Sequence, residues 1–224
     1  MGDFVLKGHI CYSESKNELI TRENAYVVCV GGKSKGVFTE LPQQYAVLPL
    51  KDYSDCLIVP GMIDLHIHAP QYAFRGMCMD LELMDWLNRY TFPEEAKYME
   101  LEYAERAYAI FVNALKASAT TRAVVFATRH RPATELLMKL MEESGLASYV
   151  GKVNMDREAA EVLVEESAAV SASETVQWIE AVKEKYTNNK NVVALGKFDG
   201  LHVGHQKLLA AAIDTARQTG GVPI

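Results

Sequence analysis

The chain of 224 residues contains no run of lysine and arginine, and acidic residues outnumber basic ones, 29 to 23. At a net charge of −6 and a pI near 5.6, a nucleic-acid groove is not expected. No apolar stretch approaches the roughly 18 residues that a bilayer-crossing helix needs. The N-terminal stretch MGDFVLKGHI has no signal-peptide core. Gly2 does not begin a myristoylation motif, because Leu6 stands where Ser or Thr is required. Cysteine is scarce and scattered: Cys11, Cys29, Cys56 and Cys78 form no CxxC pair, which argues against a zinc knuckle or a disulfide scaffold. Free thiols of this kind fit a reducing compartment, so a cytoplasmic protein is expected, without nucleic-acid or membrane partners.

With 49% hydrophobic and 23% charged residues, the remainder reads as an ordinary globular chain. Residues 1–56 are β-rich. AYVVCV and GVFTEL flank the turn GGKSKG, which predicts a hairpin. Gly32-Lys33-Ser34 is half of a phosphate-binding loop, but Val27 stands where that motif needs its first glycine. From Leu57 strands and helices alternate. LIVPGMIDLHIH, TRAVVFATRH and ASYVGKVNMD read as strands, and ATELLMKLMEESG as a helix closed by Gly145. Residues 94–118 carry Met99, Tyr103, Ala107, Ile110, Phe111, Ala114 and Leu115 at helical spacing. A helix near Ser171 would be opened by a Ser171–Glu174 capping box, and residues 158–173 are expected to be helical without chemistry. This alternation predicts an α/β fold with parallel sheet.

Two constellations carry chemistry. His66 and His68, at i and i+2 on a strand, point to one side, and the same spacing would bring Asp64 to that face. Two imidazoles so placed can bind one divalent metal. The second is GKFDGLHVGHQ, where Gly200 and Gly204 permit tight turns and Gly204 and His205 open a helix whose N–H groups favour phosphate.

PGMIDLHIH resembles the signature of the amidohydrolase superfamily. HAPQYAFRG, DLELMDWLNRYTFPEEAKY, TTRAVVFATRH and VGKVNMD extend the resemblance, over residues 1–190, to its guanine deaminases. The resemblance implies a partial (β/α) barrel over 57–190 behind the β-rich N-terminal segment. It also implies zinc on His66 and His68, Gln71 against guanine, and Trp86 and Leu87 at the pocket's edge. Apolar packing is an equal reading for Trp86 and Phe92. The implied reaction is metal-assisted hydrolysis of guanine to xanthine and ammonia. The later metal ligands and the acid/base carboxylate of that family do not appear, so the site is expected to be incomplete in this chain.

VVALGKFDGLHVGHQ, within residues 192–224, resembles the start of bacterial bifunctional riboflavin kinase/FAD synthetase, a nucleotidylyltransferase. It implies one Rossmann-like βα unit over 191–224, with Phe198, Asp199, Gly200, His202, Gly204 and His205 toward nucleotide, and ATP/Mg and FMN as ligands. A junction near position 191 would make the chain a chimera, and a non-catalytic α/β recombinant is a third reading. A complete barrel takes about 250 residues, more than the span after Leu57 allows. The apolar edges of a partial barrel favour association, so a homo-oligomer is also expected.

Overall fold

The computed structural model describes residues 2–185, which fall into two compact units, one ending at Gly61 and one beginning at Met62. The first is a four-stranded sheet of order β3-β2-β1-β4, built from β1 (Phe4–Ser15), β2 (Glu18–Val30), β3 (Lys33–Phe38) and β4 (Leu50–Ile58). β1 pairs antiparallel with β2 and parallel with β4. The expected hairpin is β2–β3: Val30 pairs with Lys33 across Gly31 and Gly32, both at positive φ (62° and 71°), so a two-residue turn takes two glycines. Val5, Ile10, Ala25 and Val28 are the buried apolar side chains of this sheet.

Gly8 pairs with Tyr53 where β1 runs beside β4. A Cβ there would stand 2.7 Å from the Tyr53 carbonyl oxygen and 2.8 Å from Ile58 Cδ1. Because the first of these is backbone, the strands must separate to admit it. Gly8→Ala is therefore expected to destabilise the protein by about 1–3 kcal/mol. A lowered urea midpoint checks this, and an unchanged midpoint would show that the β1–β4 contact yields freely.

The run read as a single strand, LIVPGMIDLHIH, is divided. Its first two residues end β4, and Pro60, which has no N–H to give a ladder, interrupts it. β5 (Met62–His68) then belongs to a second sheet of order β5-β6-β7, with β6 (Thr120–Phe126) and β7 (Ala147–Gly151), all parallel. Parallel strands need crossovers, and these are helical. A short helix α1 (Leu83–Trp86), a π-helical turn (Leu87–Thr91) and α2 (Phe92–Ala96) lead to α3 (Leu101–Lys116), and α4 (Arg131–Ser144) joins β6 to β7. The helix expected over 94–118 is broken by extended Glu100, which frees Met99 from the core face. In α3 the buried stripe is Ala104, Tyr108, Phe111, Val112 and Leu115, while Ile110 is exposed. That stripe packs with Ala123 and Val125 of β6 and Ala133, Leu137 and Met141 of α4. Gly145 ends α4 at φ 76°, the left-handed C-cap that the sequence suggests.

Two expectations after β7 are corrected. Of residues 158–173, expected to be helical, those before Ala168 form bends and turns and those from Ala168 on are helix. The final described helix, α5 (Ala168–Lys185), begins before Ser171, and the Ser167 hydroxyl accepts from the Val170 N–H. Ser171 is no cap: its hydroxyl donates to Glu165 Oε2 at 2.8 Å. Glu165 is paired with Lys152 at 2.8 Å, and the two side chains are 2% and 0% exposed. The segment thus supplies half of a buried ion pair. No helix among the described residues is long and apolar enough to cross a membrane. The strand, helix and glycine loop expected within 191–224, including Phe198, Asp199, Gly200, His202, Gly204 and His205, lie outside the described residues.

Candidate functional site

His66 and His68 occupy the C-terminal end of β5, and their Nε2 atoms converge to 3.1 Å. Two nitrogens bound to one tetrahedral zinc at about 2.0–2.1 Å would stand roughly 3.3 Å apart. The pair therefore fits a divalent ion almost without movement. A ligand imidazole must be neutral, and burial, with the neighbouring His66, pushes His68 down to about 4. The rest of a metal site is not at hand. No group of three or more His, Cys, Asp or Glu among the described residues could hold an ion.

Asp64 does not share the histidine face, contrary to the simple i, i+2 reading. A register shift between Asp64 and Ile67 sets Asp64 opposite Ala123 and His68 opposite Phe126. Ala123 and Phe126 are three apart on β6, hence on opposite faces of the sheet. The Asp64 carboxylate accepts the backbone N–H of His66 at 3.0 Å, so it shapes the strand rather than the ligand set.

The chain leaves β5 directly into a 3₁₀ turn, Ala69–Phe74, which carries Gln71. Tyr72 anchors this turn: its ring meets Phe111 edge-on at 5.7 Å and lies under Arg75, whose Cζ is 3.8 Å from the ring centroid. Gln71 is half-buried, and no described residue hydrogen-bonds its carboxamide. Trp86 packs on Phe74 of the same turn at 5.3 Å and donates its indole N–H to the Met77 carbonyl at 3.3 Å. Leu87 follows as the first residue of the π-helical turn, a form common at functional sites. His66, His68 and Gln71 thus lie within six consecutive residues, and Trp86 is tied to their turn by Phe74. Phe92 is buried.

Two residues near this end of the sheet escaped sequence reading. Phe126 lies against both imidazoles, at 4.6 Å from His66 and 4.5 Å from His68. Strand alternation could have shown that it faces the way His68 does, had the β5–β6 register been known. Glu95 of α2 is buried, and its Oε1 has no hydrogen-bond partner. Burial pushes this carboxyl up to about 7, against the Thr128 hydroxyl, the Arg129 backbone N–H and the Arg129 charge, which act to lower it. Nothing in FPEE distinguishes the inward glutamates from solvated ones. His130, at the N-terminus of α4, also buries an unpartnered Nε2.

The raised Glu95 carboxyl has a consequence for stability. Between 4.5 and about 7 the folded protein holds a proton that the unfolded chain has released. This contribution is complete below pH 4.5 and is lost as pH rises through about 7. Glu95→Gln should therefore gain stability relative to the parent across that window, by on the order of 2–3 kcal/mol. Urea midpoints of both proteins against pH measure it, and parallel profiles would show that folded Glu95 is not protonated.

An open groove in the first unit is lined by Phe4, Leu6, Tyr53, Leu57, Ile58 and Val59 among others, and no histidine lines it.

The chain matches the Amidohydrolase family over residues 57–224. Guanine deaminase of Rattus norvegicus is 38% identical over 136 residues, covering 60% of this chain and 30% of that protein. Guanine deaminase of Escherichia coli (strain K12) is 40% identical over 116 residues, 52% of this chain and 26% of that protein. The crystal structure of guanine deaminase from C. acetobutylicum with bound guanine in the active site superposes with a TM-score of 0.81 at 32% identity, covering 98% of this chain and 52% of that one. The chain thus spans about a third or less of the curated relatives' length and about half of that crystal chain. The family match runs on through position 224, across the segment that resembles a flavin-nucleotide synthase, and the comparisons give no support to a fusion there.

Proposed function

Given that the chain belongs to the amidohydrolase family, we propose that it is a guanine-deaminase-like zinc hydrolase, of whose site the described residues hold one part. The observation that carries this reading is the convergence of His66 and His68 at 3.1 Å, three residues before a carboxamide that no described residue engages. His66 and His68 would hold zinc through Nε2. Zinc bound there would supply Lewis-acid activation of water. The Gln71 carboxamide offers a donor and an acceptor side by side, complementary to the lactam edge of guanine. Trp86 and Leu87 would border the base and exclude water from it. The balanced reaction is guanine plus water to xanthine plus ammonia.

No third ligating group joins the histidine pair in a metal site among the described residues, and the reaction needs a group to pass a proton to the departing ammonia. The chain alone is therefore expected to bind zinc and guanine without turnover. Equilibrium dialysis of the zinc-loaded chain tests the substrate assignment. Guanine should bind more tightly than adenine, and Gln71→Ala should weaken guanine about tenfold, the loss of one or two hydrogen bonds. A zinc-loaded chain that does not distinguish the two purines would overturn it. Xanthine formation by the parent and not by His66→Ala would show instead that residues beyond the described set complete the site.

A further inference from the structure

We infer that Phe126 is a positioning residue for the histidine pair: its ring, rather than a hydrogen-bonding partner, aims His66 and His68 at one metal. The inference rests on the zinc reading of that pair. A metal-bound histidine is ordinarily oriented by a hydrogen bond from its second ring nitrogen to a carboxylate or carbonyl. Here neither Nδ1 has such a partner among the described residues. The carboxylate nearest in sequence, Asp64, is occupied by the His66 backbone N–H.

What both rings do touch is Phe126. The His68 imidazole lies nearly parallel to it, 12° and 4.5 Å, and the His66 imidazole is tilted at 45° and 4.6 Å. One phenyl ring therefore limits both imidazoles, and with their planes set against it the two Nε2 atoms meet. The placement follows from register, since His68 and Phe126 are cross-strand partners at the ends of β5 and β6. Contacts of this kind are individually weak, about 0.5–1.5 kcal/mol, yet here they restrict two ligands at once. A leucine at 126 would keep the apolar volume and leave both imidazoles free to turn.

The test compares the parent, Phe126→Leu, Phe126→Tyr and His66→Ala, each as the full chain. Zinc affinity is measured by competition with a chromophoric chelator, and the urea midpoint is measured in EDTA. Cobalt-loaded samples give the visible ligand-field spectrum. Phe126→Leu is expected to lose about tenfold in zinc affinity, the usual cost of losing a group that orients a ligand. It should also shift the cobalt spectrum while the metal-free midpoint stays near that of the parent. Phe126→Tyr, which restores the ring, should restore both. Zinc affinity within twofold of the parent in Phe126→Leu, with His66→Ala inactive in binding, would overturn the role of Phe126 and leave the zinc reading intact. Affinity lost only in step with the metal-free midpoint, and not rescued by tyrosine, would reduce Phe126 to packing and also overturn the inference. Unchanged zinc binding in His66→Ala would instead remove the zinc reading on which it rests.

Discussion

Zinc binding is expected to disappear when His66 is replaced by alanine. No group of three or more metal ligands gathers among the described residues, but the Nε2 atoms of these two imidazoles already stand at the separation that one ion requires. Removing one leaves a single neutral nitrogen, which holds zinc no better than any exposed histidine. The effect should exceed the 10–100-fold loss typical of groups that merely orient a ligand. His68→Ala should behave alike. The measurement is zinc content after gel filtration together with a competition titration. The fold should survive, because His66 is exposed and contributes no core packing. Bound zinc in His66→Ala at the parent's stoichiometry would place the metal elsewhere in the chain.

The second large effect concerns stability. Lys152→Met is expected to cost about 3–5 kcal/mol, because it leaves Glu165 as a buried charge without its partner. Lys152 gives its three protons to Glu165 Oε1 at 2.8 Å, Asn154 Oδ1 at 3.0 Å and the Val153 carbonyl at 3.2 Å. Glu165 Oε2 accepts from the Met155 N–H at 2.6 Å and the Ser171 hydroxyl at 2.8 Å, and the Thr175 hydroxyl donates to Asn154. Burial acts to raise the Glu165 carboxyl. The Lys152 hydrogen bond and charge, the Met155 N–H and the Ser171 hydroxyl outweigh it, so the carboxyl stays below its ordinary value and charged. This network ties the end of β7 to the first turns of α5. Adding Glu165→Leu to Lys152→Met should recover part of the loss, because the orphaned charge is then gone. Urea midpoints measure both, and a single variant as stable as the parent would show that water reaches the pair.

The contrast between what could be read and what could not follows the range of the interactions. The Gly31-Gly32 turn, the Gly145 cap and the order of strand and helix after Met62 are set by neighbours in the chain. Their residues announce them. The HxH pair was visible because a strand's period of two needs no partner. Asp64 was misplaced for the opposite reason: its face depends on a register shift against β6, a strand more than fifty residues away. The same holds for Ser171, which has the composition of a cap but is taken by Glu165, and for residues 156–167, whose alanines and glutamates suit a helix. That segment instead turns to deliver Glu165 to Lys152. Phe126 and Glu95 acquire their meaning from tertiary placement, and neither residue type signals it alone. The division of LIVPGMIDLHIH at Pro60 lies between. The proline marks a break, but only the pairing of β4 with β1 shows that the break separates two sheets.

His66 and His68 together are proposed to form the described part of a zinc site. X-ray absorption at the zinc edge of the loaded chain tests it most directly. Two imidazole nitrogens at about 2.0–2.1 Å with light-atom ligands otherwise are expected, and a signal that vanishes in His66→Ala. A sulfur shell at about 2.3 Å, or a spectrum unchanged in that variant, would contradict it.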